Sequence, residues 1–311
     1  GAYHATRDNS DAAACLRHNG IQWLPVGGPG IDGPVYAATR IGDDVVVGGK
    51  FTSIAGVPAS AIARWDGSSF QAVGLGITGQ VSGQVRVDAL LTLANGDLVA
   101  GGLFAFAGTM NGNCIARWNG STWSTFGAGM NQQVLALAEL PNGDLVAGGW
   151  FTTADGLPCA RIARWDGSQW QPFGAGANAS VQALAVRQDG VLFAAGSFGS
   201  IDGVACSRIA QWNGTAWLPV GTGCNDTVFD LAVRPNGEVV AVGAFTTAGG
   251  VAADRCARWN GSTWLAMGTA SLDPSAVRAV TVLADGDVVV GHGFLVPSQV
   301  PDEGLSRWNG S

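Results

Sequence analysis

The sequence predicts an all-β chain of repeated four-stranded sheets, and three observations carry that prediction. A four-residue phrase, Arg-Trp-Asp/Asn-Gly, recurs along the whole chain. Tight-turn signals of the Asn-Gly and Asp-Gly type separate short hydrophobic runs within the intervals. No stretch shows the periodicity of an amphipathic helix. The phrase stands at Arg64-Trp65-Asp66-Gly67, Arg117-Trp118-Asn119-Gly120, Arg164-Trp165-Asp166-Gly167, Arg258-Trp259-Asn260-Gly261 and Arg307-Trp308-Asn309-Gly310. Gln211-Trp212-Asn213-Gly214 is a variant, and Arg17-His18-Asn19-Gly20 a worn copy. First residues of successive copies lie 47, 53, 47, 47, 47 and 49 positions apart. A period of this length built from short strands predicts a six-bladed β-propeller with four antiparallel strands per blade.

The third complete period shows the elements in order. Residues 134–140 are an apolar run ending in Pro141-Asn142-Gly143, and both turn residues tolerate positive φ. Residues 144–151 follow as strand two, and a polar loop over 152–156 leads to strand three at 160–165. Asp166-Gly167 makes another tight turn, and 168–173 is strand four.

Aligning the copies assigns further roles. Phe51, Phe104, Phe151, Phe198, Phe245 and Phe294 close strand two and are expected to pack between neighbouring blades. Trp65, Trp118, Trp165, Trp212, Trp259 and Trp308 close strand three. Trp23, Trp123, Trp170, Trp217 and Trp264 sit in strand four, with Phe70 substituting once. The pairs Gly48-Gly49, Gly101-Gly102 and Gly148-Gly149 let sheets approach closely. Asp44, Asp97, Asp144, Glu238 and Asp287 open strand two where Arg64, Arg117, Arg164, Arg258 and Arg307 close strand three. The remaining period carries Val191 and Gln211 instead, so a ring of structural ion pairs missing once is expected.

Closure of the ring is expected through a strand at 21–26 pairing with the C-terminal strands, which removes exposed sheet edges. Strand three then has one copy too many. The worn copy at 14–18 is read as a surplus strand within an N-terminal extension, residues 1–20, ahead of a single domain over 21–311. Such a strand either caps the ring or adds to a neighbouring molecule's sheet.

Composition bounds the function. Hydrophobic residues make up 47% and charged residues 13%, so a large core is expected and disorder is not. The net charge of −7 argues against nucleic acid as a partner, and no apolar run is long enough to span a bilayer. The opening Gly-Ala-Tyr-His has no basic-then-apolar leader, so a signal peptide is expected to be absent or already removed. Six cysteines lack metal-site spacing and the three histidines are scattered, so no metal or other cofactor is expected. The even cysteine count suits an exported protein, and Cys206 and Cys224 flank one hairpin as a candidate disulfide. Asn-x-Ser/Thr triplets at Asn119, Asn213, Asn260 and Asn309 coincide with the turn phrase, so turn chemistry explains them.

The period resembles a kelch-type blade: a glycine pair in strand two, then two aromatics around a hairpin, as in Trp165 and Trp170. It is still more similar to the Arg-Trp-Asp-Gly-Ser-x-Trp repeats of bacterial exported proteins and of fungal Rax2-like cell-surface proteins. The resemblance covers nearly the whole chain, implies a propeller, and transfers no catalytic residue. Kelch-type enzymes such as galactose oxidase hold copper with tyrosine and histidine, and only Tyr3 and Tyr36 exist here.

Positions that break the pattern are the ligand-binding candidates. Asp230 stands where other copies have Ala37, Ala89, Ala136, Ala183 and Ala279, and is expected to line the channel. His292 replaces the second glycine of strand two. The longest insertion, 77–84, and the segment 110–113 are expected on one face, where a partner would be sought. The leading expectation is a non-catalytic, secreted or cell-surface scaffold or protein-interaction module, a subunit of an extracellular assembly or fibre, self-assembling through strand 14–18. The alternatives are a lectin binding glycans between blades and an enzyme with a channel-mouth site near Asp230.

Overall fold

The computed structural model describes residues 3–5, 15–18, 23–25, 30–267, 277–292 and 305–309. All regular structure among them is β. The chain divides into two compact units, Tyr3–Phe173 and Gly174–Ser311.

The first unit holds three complete four-stranded antiparallel sheets. These are Val35–Ile41 with Asp44–Gly49, Ile62–Trp65 and Phe70–Ala72; Arg86–Thr92 with Leu98–Leu103, Ile115–Trp118 and Trp123–Thr125; and Val134–Glu139 with Leu145–Gly149, Ile162–Trp165 and Trp170–Pro172. The second unit holds two more: Val181–Val186 with Leu192–Gly196, Ile209–Trp212 and Trp217–Pro219; and Val228–Val233 with Val239–Gly243, Cys256–Trp259 and Trp264–Ala266. The sixth repeat has three described strands, Val277–Val282, Val288–His292 and Leu305–Trp308.

The N-terminal segment departs from the expectation. Trp23–Pro25 pairs with Cys15–His18, which pairs in turn with Tyr3–Ala5. Cys15–His18 is therefore the middle strand of a three-stranded sheet, and the expected pairing of 21–26 with the C-terminal strands is not among those formed by the described residues. The register explains why. His18 faces Trp23 as Trp118 faces Trp123, and Tyr3 faces Arg17 as Val99 faces Arg117, so the segment repeats strands two to four of a blade. A hairpin across a short turn costs far less loop entropy than a partner hundreds of residues away.

Each repeat is framed the same way. Strand one carries a β-bulge at its start, between Val35 and Ala37, Val87 and Ala89, Val134 and Ala136, Val181 and Ala183, Val228 and Asp230, and Val277 and Ala279. The second glycine of strand two lies against the carbonyl just before that bulge: a Cβ on Gly149 would sit 2.2 Å from the Gln133 oxygen. The first glycine serves the neighbouring sheet, since a Cβ on Gly48 would sit 2.5 Å from Val87 Cγ1.

Strand-four aromatics fill the core. Phe70, Trp123, Trp170, Trp217 and Trp264 are buried and pack against the strand-three tryptophans, with ring centroids 5.0–5.6 Å apart. Three of the indoles also donate to the preceding repeat: Trp123 to the Val73 carbonyl at 3.3 Å, Trp170 to Phe126 at 3.0 Å and Trp264 to Val220 at 2.9 Å. Phe51, Phe104, Phe151, Phe198 and Phe245 are buried, while Phe294 lies outside the described residues.

The turns are side-chain capped. In the strand three-to-four turn, Asn119 Oδ1 accepts the N–H groups of Ser121 (3.0 Å) and Thr122 (2.8 Å), and Asp66, Asp166, Asn213 and Asn260 do the same. Asp32, Asn131, Asn178 and Asn225 clamp the loop after strand two in the same manner.

Candidate functional site

The first unit carries an addition to its frame at the longest insertion. Ile77–Thr78 pairs with Phe106–Ala107, which pairs with Met110–Asn111, so the insertion and the segment after strand two of the second repeat form one small three-stranded sheet. The corresponding loops of the other complete repeats form two-stranded ribbons that meet the same position through a single bridge, Ile31–Ile54, Met130–Ala154, Ala177–Ile201 and Cys224–Ala248, so the second repeat lengthens a shared contact by one residue pair. Gly79 makes the junction: its φ of 74° favours glycine, its carbonyl accepts the Ala105 N–H at 2.9 Å, and a Cβ there would meet the Phe106 ring at 2.3 Å. Gly108 donates to the Gly76 carbonyl at 2.8 Å, the bond that Asp155 makes to Gly129 and Asp202 to Gly176 in other repeats. Leu75, Phe106 and Met110 are 72%, 40% and 41% exposed on this addition. These are three large apolar side chains exposed on adjoining segments.

The bulge at the start of strand one is the second variable place. Its extra residue is Tyr36, Asp88, Leu135, Gln182, Phe229 or Arg278, with no chemistry in common. In the first unit, Arg86 Nε donates to Asp88 Oδ1 at 2.7 Å, Gln133 Nε2 donates to Asp88 Oδ2 at 2.7 Å, and the guanidinium lies 4.2 Å from the Tyr36 ring centroid. The Asp88 side chain is buried under these partners. Sequence reasoning passed over this cluster. The signal was a column varying between a constant Val and a nearly constant Ala.

In the second unit, Asp230 Oδ1 accepts the Leu231 N–H and Oδ2 accepts the Val280 N–H, both at 2.8 Å. The carboxylate thus staples the fifth repeat to the inner strand of the sixth. Burial drives its pKa up to about 6, against the opposing pull of the Val280 and Leu231 N–H groups. Beside it, Arg278 lies over the Phe229 ring at 4.4 Å. His292 pairs with Val277 through the backbone, and its side chain lies outside the described residues.

The ion-pair residues lie as follows. Arg64 reaches Asp44 at 2.5 Å, Arg164 reaches Asp144 at 3.3 Å and Arg307 reaches Asp287 at 2.6 Å, and Arg117 pairs with Asp97 and Arg258 with Glu238. The acid is diagonal to its arginine, not directly opposite: Val99 faces Arg117, and Asp97 lies two residues back on the same strand face. Burial opposes ionisation of Glu238, yet Asn236, Arg234 and Arg258 hold its pKa below the ordinary value. In the fourth repeat Phe193 faces Gln211, and Arg187 pairs with Asp189 in the turn at 2.5 Å.

Cys206 and Cys224 are free, buried thiols, contrary to the expected disulfide. Cys224 bridges Ala248 through the backbone and fills a core cluster with Val220 and Trp264; Ile31, Met130 and Ala177 make the same bridge in other repeats. Cys206 holds a position filled elsewhere by Ala59, Cys159 and Ala253. Both act as small core hydrophobes. Burial raises the Cys114 pKa to about 11 and those of Cys224 and Cys256 to about 12, so these thiols are poor nucleophiles. Among the described residues no three His, Cys, Asp or Glu side chains gather as metal ligands.

Comparison with known proteins fits this frame. A family model described as "Domain of unknown function (DUF5122) beta-propeller" matches residues 43–65 and 140–165. The WD40 β-propeller domain of Doa1 aligns over 98% of this chain and 88% of its own, with a TM-score of 0.62 at 16% identity. The fold is that of a β-propeller. YCF48, solved bound to D1 peptide, matches the propeller over 98% of this chain and 96% of its own, with a TM-score of 0.58 and 16% identity. PorZ, a bacterial surface component of the type-IX secretion system of Porphyromonas gingivalis, gives a TM-score of 0.61 at 13% identity; 99% of the propeller aligns with 45% of that chain. No curated protein sequence matches the chain.

Proposed function

We propose that this propeller is a non-catalytic interaction module whose partner is a protein segment seated on the insertion sheet of the second blade. The carrying observation is the exposure of Leu75, Phe106 and Met110 at the one repeat whose loop contact is extended by an insertion. Support comes from YCF48, a propeller of like fold solved with a peptide bound.

A secreted or cell-surface location, with a structural role in an extracellular assembly, belongs to the same proposal. It rests on the similarity of the repeats to exported bacterial ones. The even cysteine count no longer supports it, since five of the six are free buried thiols. A closed ring of six blades is also part of the reading. It rests on the spacing of the repeats, and on five four-stranded sheets followed by a sixth with three described strands. A crystal structure of the full chain counts the blades directly.

The test of the partner surface is selection from a random peptide library on the purified protein. Enriched peptides should bind at least about tenfold more weakly to a Leu75→Ser, Phe106→Ser, Met110→Ser variant, the loss expected for removing an apolar anchor cluster. Leu218→Ser, an exposed apolar change in the other unit, should leave binding unchanged. No enrichment, or equal weakening by Leu218→Ser, rejects this surface. A glycan array probed with the same proteins decides the lectin alternative.

A further inference from the structure

Asn-Gly occurs in two kinds of turn in this chain. Asn119-Gly120, Asn213-Gly214 and Asn260-Gly261 join strands three and four, whereas Asn95-Gly96, Asn142-Gly143 and Asn236-Gly237 join strands one and two. Asn111-Gly112, at the end of a paired strand, belongs to neither set. All six turn asparagines are exposed to water.

The two sets bond differently. In the three-to-four turns the side-chain oxygen collects donors. Asn119 Oδ1 accepts the Ser121 N–H at 3.0 Å, the Thr122 N–H at 2.8 Å and the Ser121 hydroxyl at 3.0 Å. Asn213 Oδ1 accepts the N–H groups of Thr215 and Ala216 at 3.0 and 2.9 Å and the Thr215 hydroxyl at 3.0 Å. Asn260 Oδ1 does the same with Ser262 and Thr263. In these turns neither the asparagine Nδ2 nor the N–H of the following glycine makes a hydrogen bond among the described residues. Both groups are engaged in the one-to-two turns. Gly96, Gly143 and Gly237 donate to the carbonyls of Leu93, Leu140 and Arg234 at 2.8–2.9 Å. Asn95, Asn142 and Asn236 donate Nδ2 to Asp97, Asp144 and Glu238 at 2.9–3.1 Å.

These differences bear on deamidation, which begins when the next backbone nitrogen attacks the asparagine Cγ. Negative charge then develops on Oδ1, where donors already in place stabilise it. The two copies that carry aspartate show that the turn favours such charge. The backbone N–H of Ser69, with the Ser68 hydroxyl and N–H, holds the Asp66 carboxyl well below its ordinary range, and the N–H groups of Gln169 and Ser168 bring Asp166 down to about 2.

We infer that Asn119, Asn213 and Asn260 are sites of self-modification, each turn promoting loss of its own side-chain ammonia. The Gly120 nitrogen gives its proton to hydroxide and bonds to Asn119 Cγ. The Cγ–Nδ2 bond breaks, and Nδ2 leaves as ammonia with a proton from water. Water then opens the resulting succinimide to aspartate or isoaspartate. The aspartate product is the residue that Asp66 and Asp166 already place in this turn, with the same N–H partners. Three conversions lower the net charge of −7 by three. In a one-to-two turn the product would set a second carboxylate against Asp97, Asp144 or Glu238, and the bonded glycine N–H holds that reaction back.

The test incubates the whole folded chain in mildly alkaline water enriched in heavy oxygen, with peptides over the six sites followed by mass spectrometry. Asn119, Asn213 and Asn260 should convert at least about tenfold faster than Asn95, Asn142 and Asn236, a small part of what one oxyanion donor contributes in an enzyme. Ser121→Ala removes one donor from Asn119 Oδ1 and should slow that site about two- to tenfold, the span of one hydrogen bond, while Asn213 keeps its rate. In urea, where the turns are lost, the six rates should draw together. Equal or reversed rates in the folded chain overturn the proposal. So does a contrast between the sets that persists undiminished in urea, or an Asn119 rate that Ser121→Ala leaves unmoved.

Discussion

The third and fourth repeats share one backbone plan and settle their polar side chains differently. Leu145 faces Trp165 in one, and Leu192 faces Trp212 in the other, with a bulge at the same place in strand one. The third has the Asp144–Arg164 pair across strands two and three, and the fourth has Val191 and Gln211 there. The register survives the loss of the pair. What sets it must be present in both: the buried strand-two residues, the glycine against the bulge carbonyl, and the stacked tryptophans Trp165–Trp170 and Trp212–Trp217. The charges decorate a frame that apolar burial and backbone geometry build.

The sharpest way to break this conclusion is to remove a shared part. Trp170→Ala and Trp217→Ala should each destabilise the protein by about 3–5 kcal/mol, the usual loss for emptying a fully buried aromatic site. Both are buried, and Trp170 also donates to the Phe126 carbonyl at 3.0 Å. Urea unfolding followed by circular dichroism measures this. If the repeat lacking the ion pair lost much less, the two repeats would not rest on the same foundation.

A somewhat smaller effect is expected where a charge has entered the frame. Asp230 replaces the alanine of five other copies, and burial raises its pKa to about 6. The folded state therefore holds a proton that the unfolded chain, titrating near the ordinary value of 3.8, has released. Stability from this group is intact below the lower value and lost as pH rises toward and past the upper one. Over that window the protein should lose about 3 kcal/mol relative to Asp230→Ala, whose curve lacks this component. Paired melts of the two proteins at pH 4 and pH 7 check the sign. A difference that grows in favour of the natural protein with rising pH contradicts the buried-carboxylate reading.

What the sequence made legible follows the same division. Strand order, the tight turns and the recurring aromatics were readable because burial and turn geometry demand the same residue types in every copy. The diagonal offset of Asp97 and Arg117 was not, because a pairing by position does not state the register. Cys206 and Cys224 suggested a bond because spacing brings their strands together. It does not show that Cys224 points into the cluster of Val220 and Trp264. The Arg86–Asp88–Gln133 cluster escaped because it combines side chains from separate segments around a bulge. Tyr3–Ala5 escaped as a strand because three residues without the glycine pair carry no pattern; only its register with Cys15–His18 identifies it.

The smallest effect is the most direct test of the comparison. Introducing Val191→Asp with Gln211→Arg rebuilds in the fourth repeat the pair that the third possesses. The partners elsewhere are half exposed, with arginine side chains at 38–46% exposure for Arg64, Arg117, Arg164 and Arg307. Water screens such pairs, so the double variant should gain no more than about 0.5–1 kcal/mol over the sum of its single changes. The converse cycle, Asp144→Asn with Arg164→Gln, should return a coupling of the same size. A coupling of several kcal/mol in either cycle would mean that the ion pairs hold the register, and that Arg187 with Asp189 in the fourth repeat stands in for the missing one.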